Sequence, residues 1–159
     1  MAHPQGTQRR IPFNPGNCGG NLIRDLLLFF RSTRVADPMS GSGTCRDVCD
    51  ELAIPCVSFD IHQGYDACDV SGFPTAERYD FIWAHPPYFR QKLYATDPRD
   101  LSRAKSFDDF LARYSQFLRN CAKALSPNGK LAILMGFCDI LGYVMLFSDG
   151  THLVCGMVS

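Results

Sequence analysis

The stretch Ile82-Trp83-Ala84-His85-Pro86-Pro87-Tyr88 sets an imidazole, two prolines and a phenol at the end of an apolar run led by Tyr79 and Asp80. Neither proline can donate to a sheet ladder, so a strand entering this stretch must stop there. If that strand lies in a parallel sheet, its carboxyl end opens on the crevice where such sheets bind ligands. His85, Pro86, Pro87 and Tyr88 would then line a site. The plainer reading is a strand that leaves its sheet through a rigid turn.

A second group with chemical character precedes it. In Val35-Ala36-Asp37-Pro38-Met39-Ser40-Gly41-Ser42-Gly43-Thr44, an acid at a strand end is followed by a turn in which Gly41 and Gly43 lack Cβ atoms. A ligand can approach such a backbone, and the free N–H groups of the helix that follows favour a carboxylate or phosphate. A nucleotide-like ligand is implied. There is no nucleoside-triphosphate loop, and Arg46 stands where the dinucleotide pattern has its third glycine. Asp37 would repel a pyrophosphate and suit a cationic amine. Asp60 follows Asp37 at roughly the twenty-residue distance expected of a ribose-hydroxyl acceptor. Tyr65-Asp66-Ala67-Cys68-Asp69 adds two carboxylates, either of which could meet an adenine amino group or simply be solvated loop charges. His62 has no partner in the pattern and reads as a surface residue.

The elements that must hold these groups alternate. Residues 1–20 carry three prolines and four glycines and read as an irregular entry segment. From Asn21, Leu22, Ile23, Leu26, Leu27 and Phe30 recur at helical spacing, and Cys45, Val48, Cys49, Leu52 and Ala53 do so after the glycine turn. Cys56 to Phe59 reads as a second strand. Ser106-Phe107-Asp108-Asp109 resembles a capping box opening a helix whose face is Phe110, Leu111, Tyr114, Leu118, Cys121 and Leu125. That helix stops at Ser126-Pro127-Asn128-Gly129, and Lys130 to Met135 follows as a buried strand. Gly142 to Phe147 and His152 to Val158 flank an Asp-Gly hairpin signal at 149–150, so a short closing hairpin is the expectation for the tail, 137–159.

Length and composition fit this scheme. A chain of 159 residues with 46% hydrophobic content can bury one core. Sixteen basic residues balance sixteen acidic ones, so nucleic-acid binding would need a local patch. Loop 88–106 offers one, with Arg90, Lys92, Arg99, Arg103 and Lys105 against Asp97 and Asp100, and with Phe89 and Tyr94 interleaved. The eight cysteines are scattered without a C-x-x-C pair, which suits reduced thiols and disfavours a metal site or a disulfide framework. The apolar run Leu26 to Phe30 is too short to span a bilayer, and the first ten residues lack an apolar signal core. A soluble cytoplasmic protein with no membrane partner is expected.

With those residues in view, Asp-Pro-Met-Ser-Gly-Ser-Gly-Thr at 37–44 resembles the cofactor loop of S-adenosylmethionine-dependent DNA amino-methyltransferases. His85-Pro86-Pro87-Tyr88 resembles their catalytic tetrapeptide, in the cofactor-first order. The likeness covers about Asn14 to Gly136. It implies an α/β, Rossmann-like class I methyltransferase fold, mostly a parallel sheet with helices on both faces, in a domain spanning 21–136. That fold would continue with a further helix and an antiparallel strand pair, and the tail is short enough that the C-terminal strands are expected to be short or incomplete, as in a truncated copy.

The resemblance implies S-adenosyl-L-methionine as cofactor, held by Asp37, Pro38, Gly41, Ser42, Gly43, Thr44, Asp60, Ile61 and Asp66. It also implies methyl transfer to the exocyclic amine of adenine or cytosine in DNA, with loop 88–106 touching the DNA. Relatives with the tetrapeptide also modify RNA or protein, and a non-catalytic cofactor-binding remnant is the remaining reading. The Pro86 carbonyl and the residue-85 side chain would accept the amino hydrogens, Tyr88 would stack on a flipped base, and no metal is required. The family more commonly has Asp, Asn or Ser at position 85. Histidine accepts only when neutral, so activity is expected to fall as pH drops through its pKa.

Overall fold

The computed structural model describes residues 20–74, 76–90, 92–137, 141–148 and 152–158. In chain order these form α1 (Gly20–Phe30), β1 (Val35–Asp37), α2 (Thr44–Glu51), β2 (Cys56–Ser58), β3 (Tyr79–Ala84), α3 (Phe107–Ala124), β4 (Leu125–Phe137), β5 (Leu141–Ser148) and β6 (His152–Val158). Single 3₁₀ turns lie at Ile61–Gln63 and Leu101–Arg103. The entry segment before Gly20 lies outside the described residues, as does the Asp-Gly turn at 149–150.

One sheet carries all six strands in the order β2-β1-β3-β4-β5-β6. The first four are parallel and the last two antiparallel. Helices cover both faces, as the alternation of elements predicts. On one face, Val35, Phe81, Trp83 and Ala132 pack with Ile23 and Leu27 of α1 and with Cys45, Val48 and Cys49 of α2. On the other, Ala36, Ile82, Ala84, Leu131 and Ile133 pack against Phe117, Cys121 and Ala124 of α3. Successive residues along a strand thus serve opposite cores, which is why the central strands read as unbroken apolar runs. Burying each large side chain contributes about 1.5–3 kcal/mol, and Phe81, Ile82, Phe117, Ile23 and Leu27 are all at or below 1% exposure.

Three boundaries differ from the sequence expectation. The second helix ends at Glu51 rather than including Leu52 and Ala53, because Leu52 caps it and Ala53 takes a left-handed φ of 55° ahead of Pro55. The third ends at Ala124, since Leu125 is already extended and pairs with Tyr79. From there β3 and β4 shift register, Tyr79 facing Leu125 while Phe81 faces Lys130. This irregularity lets Tyr79 join the α3 core although Phe81, two residues on, faces α1. Gly129 is needed in it: a Cβ there would stand 2.9 Å from the Ser126 carbonyl oxygen and 3.0 Å from that of Tyr79.

The third difference follows β4. No helix intervenes before the antiparallel pair, because only residues 138–140 separate Phe137 from Leu141, which pair directly. A parallel crossover needs a dozen residues or more, so a connection this short can only return antiparallel. β5 and β6 then pair from Gly142↔Val158 to Ser148↔His152, eight and seven residues long, so the C-terminal strands are not the short or incomplete ones expected from the brevity of the tail. Among the described residues, no helix is long and apolar enough to cross a membrane.

Candidate active site

Because β1, β2 and β3 are parallel, their carboxyl ends share one edge of the sheet, and the loops leaving them meet over a cavity of about 150 Å³. β1 ends in Asp37. Its carboxyl is 3% exposed and accepts one N–H, from Met39 at 3.3 Å, so burial raises its pKa to about 8 against the lowering by that bond. The charge of Arg46 also lowers it, but by less than burial raises it, and Asp37 is therefore mainly protonated at neutral pH.

The loop after Asp37 is built from backbone. Ser40 N–H donates to the Phe59 carbonyl at 3.0 Å, and Gly43 N–H closes a turn onto the Ser40 carbonyl at 2.8 Å. Gly41 and Gly43 have φ of 49° and 87°, the left-handed region that favours glycine, and a Cβ on either would meet nothing within 4 Å. Gly43 is also the N-cap of α2 and, lacking a side chain, makes no side-chain cap bond to the start of the helix.

Asp60, beyond the end of β2, anchors this loop. One carboxylate oxygen accepts from the Gly41 N–H at 2.8 Å, and the other from the His62 N–H at 2.9 Å and from His62 Nδ1 at 2.6 Å. His62, expected to be a solitary surface residue, is exposed but paired with Asp60, and this hydrogen bond raises its pKa. A carboxylate offers about four lone-pair sites, so with three occupied Asp60 keeps one for a ligand hydroxyl. Asp66 turns its own loop by accepting from the Cys68 N–H at 2.8 Å.

The cavity is lined by Asp37, Pro38, Gly41, Ser42, Thr44, Asp60, Ile61 and Asp66 and also by His85 and Pro87. Both motifs therefore open on one space. Gly43, Pro86 and Tyr88 are not on its wall: Gly43 serves the cap, Pro86 is fully buried, and Tyr88 is half-buried with its ring centroid 6.3 Å from that of His85. Burial alone lowers the His85 pKa, so its imidazole is neutral, and an acceptor, at neutral pH.

Other wall residues carry no motif in the sequence. Trp83, Tyr94, Arg99, Asp100 and Leu101 are among them, the last four from loop 88–106. That loop is internally tied. Asp100 accepts from Ala95 N–H at 2.7 Å and from Ser102 N–H at 2.9 Å, and Arg99 makes a two-pronged pair with Asp97 at 2.7 and 3.1 Å. Arg90 and Arg103 donate to the carbonyls of Lys105 and Ala95. Beside the cavity, and sharing Asp66 and Arg99 with it, a shallower cleft sets Arg99, Arg103, Lys105 and Arg113 against Asp66 and Asp109. Arg113 comes from α3, which explains why the loop's own composition understates this positive patch. Asn120, also on α3 and 1% exposed, donates to the carbonyls of Ala67 at 2.9 Å and Asp69 at 2.8 Å and so holds the Asp66 wall in place.

No protein-family model and no curated protein matches the chain by sequence. Among solved structures the chain is similar to TrmN from Thermus thermophilus, with 18% identity over 88% of this chain and 48% of that one and a TM-score of 0.53. The chain thus spans about half the length of that neighbour. It is also similar to the glycopeptide N-methyltransferase MtfA complexed with S-adenosyl-L-methionine, with 12% identity over 98% and 71% of the two chains and a TM-score of 0.49. CalS10, an amino pentose methyltransferase from Micromonospora echinaspora solved with that cofactor bound, shows 9% identity over 94% and 84% and a TM-score of 0.44. At these identities the likeness to TrmN concerns architecture, and it agrees with the Rossmann-like parallel sheet flanked by helices described above.

Proposed function

We propose that this chain binds S-adenosyl-L-methionine and transfers its methyl group to the exocyclic amino group of adenine or cytosine in DNA. The observation that carries the reading is the shared cavity, in which buried Asp37, the Gly41 loop and Asp60 face His85 and Pro87. The donor set fits such a cofactor. Asp37 would take the cationic amine of its amino-acid end, which would favour ionisation of the carboxyl. The remaining lone-pair site of Asp60 suits a ribose hydroxyl, and Asp66 an adenine amino group, with Ile61 beside them.

When bound, the cofactor supplies an electrophilic methyl group on a sulfonium. The acceptor nitrogen is a weak nucleophile because its lone pair is delocalised into the base. Neutral His85, on the cavity wall, accepts an amino hydrogen, which favours a pyramidal nitrogen with its lone pair free for in-line attack; the Pro86 carbonyl, buried behind that wall, could take the other only after a local shift of the turn. Tyr88 stacks on a base turned out of the duplex. Phosphates would lie along loop 88–106 and the adjoining cleft of Arg99, Arg103, Lys105 and Arg113, which supports a polyanionic substrate.

Calorimetry with the cofactor, followed by transfer of a tritiated methyl group to unmodified DNA and identification of the labelled base, tests the proposal. Label in N6-methyladenine or N4-methylcytosine is expected. Parallel reactions with RNA and with protein locate the substrate if DNA stays unlabelled. Binding without transfer to any polymer would leave a cofactor-binding protein, and no binding would remove the proposal altogether.

A further inference from the structure

Three thiols with no motif spacing come together beside the glycine loop. Cys45 and Cys49 stand one helical turn apart on the buried side of α2, and Cys56 opens β2. Their sulfur atoms all lie within 4.8 Å of one another. All three are free; Cys45 and Cys49 are buried, and Cys56 is half-buried, which leaves a route in from solvent. The Ser58 hydroxyl lies 3.8 Å from the Cys56 sulfur. One buried cysteine is ordinarily a small apolar core residue, but three sulfurs in a triangle also form a ready-made donor set. Helix periodicity supplies two of them, and the pairing of β2 with β1 brings in the third.

We propose that Cys45, Cys49 and Cys56 form a three-sulfur site for a thiophilic d¹⁰ ion, Cu(I) or Zn(II). Thiolates select such ions over hard cations. With metal–sulfur bonds of about 2.3 Å, ligand sulfurs stand roughly 3.8–4 Å apart, so closing the triangle from its 4.8 Å limit needs a movement of less than about 1 Å. Among the described residues no fourth His, Cys, Asp or Glu atom joins the cluster. Three-coordinate Cu(I) needs none, whereas Zn(II) would complete its tetrahedron with water or the Ser58 hydroxyl. Each S–H that becomes a metal–sulfur bond releases its proton to solvent, and no electron is transferred. Cys45 also lines the cavity and lies in the first turn of α2, so a bound ion would tie β2 to the helix that follows the glycine loop. The site stands independently of the proposed methyl transfer.

The test uses the full chain, reduced and free of metal, titrated separately with Zn(II) and Cu(I) against chromophoric competitors, with Co(II) as a spectroscopic substitute. One equivalent of Zn(II) or Cu(I) is expected, a raised melting temperature with it, and sulfur-to-cobalt charge-transfer absorption. Cys56→Ser, at the most exposed of the three, should abolish that absorption, whereas Cys68→Ser, outside the triangle, should retain it. Binding by neither ion, or binding that survives Cys56→Ser, overturns the proposal. If Cys56→Ser does not fold, X-ray absorption of the wild-type complex decides: three sulfur ligands are expected, and fewer refute the site. Loss of two of the three thiols to an air-formed disulfide in preference to metal binding refutes it as well.

Discussion

Replacing Asp60 with alanine probes the structural and the proposed chemical role of one side chain together. The residue is 8% exposed, and its carboxylate accepts the backbone N–H of Gly41 at 2.8 Å and of His62 at 2.9 Å. A buried bond to a charged acceptor contributes about 1.5–3 kcal/mol, and water can reach these partly buried groups once the carboxylate is gone, which sets the lower end. Two N–H groups deprived of this acceptor therefore cost about 3 kcal/mol. Urea denaturation monitored by the fluorescence of Trp83 reads this as a lower midpoint at unchanged slope. Asp60→Asn keeps one acceptor oxygen and should lose about half as much. His62→Ala removes only an exposed partner and should leave the midpoint nearly unchanged. Under the proposed function, Asp60→Ala should also weaken cofactor binding by roughly ten- to a hundredfold, the worth of one charged hydrogen bond. A stability loss below about 1 kcal/mol would refute Asp60 as anchor of the glycine loop. Unchanged cofactor affinity in a folded variant would refute it as the ribose acceptor.

Asp37→Asn should stabilise the ligand-free protein at alkaline pH. The folded pKa of about 8 lies above the unfolded value of 3.8, so the folded state holds the proton longer and stability is lost as pH rises between the two. The variant removes that loss, and its unfolding midpoint should exceed the wild-type midpoint at pH 8; under the proposed function it should also bind the cationic cofactor more weakly. His85 has the opposite sign: burial favours its neutral form, the unfolded chain takes the proton first, and stability falls below about pH 6.5. Under the proposed function, methyl transfer should accordingly stay level through pH 6.5 and decline only under more acid conditions. His85→Asn, which keeps an acceptor, should retain turnover, while His85→Ala should reduce kcat about a hundredfold. Asn120→Ala deprives two backbone carbonyls of their donor and should cost about 2–3 kcal/mol, with faster amide exchange across 66–72 as the local readout.

The local elements around the site were legible because their signals are local. Helical spacing marks Ile23 and Leu27, the Asp37-to-Thr44 stretch shows its turn through two glycines, and Pro86 and Pro87 stop β3 wherever it lies. Such features depend on steric limits of a few neighbouring residues, which the chain carries with it. Boundaries set by contacts between elements were less legible. Leu125 fits the helical face by spacing, yet it leaves the helix to pair with Tyr79, and the absence of a helix after β4 follows from where Leu141 pairs.

What the sequence by itself determined, then, is the order of elements and the identity of the groups at the strand ends: Asp37, Asp60 and His85. Only the tertiary structure decided what those groups face. It tied Asp60 to Gly41 and His62, placed Arg113 of α3 beside Arg99 of the loop that leads into that helix, buried Pro86 away from the cavity wall, and drew Cys45, Cys49 and Cys56 into one triangle. The physical reason is the parallel sheet. It brings the carboxyl ends of strands far apart in sequence to one edge, so the partners of each group come from residues whose spacing along the chain carries no periodic signal.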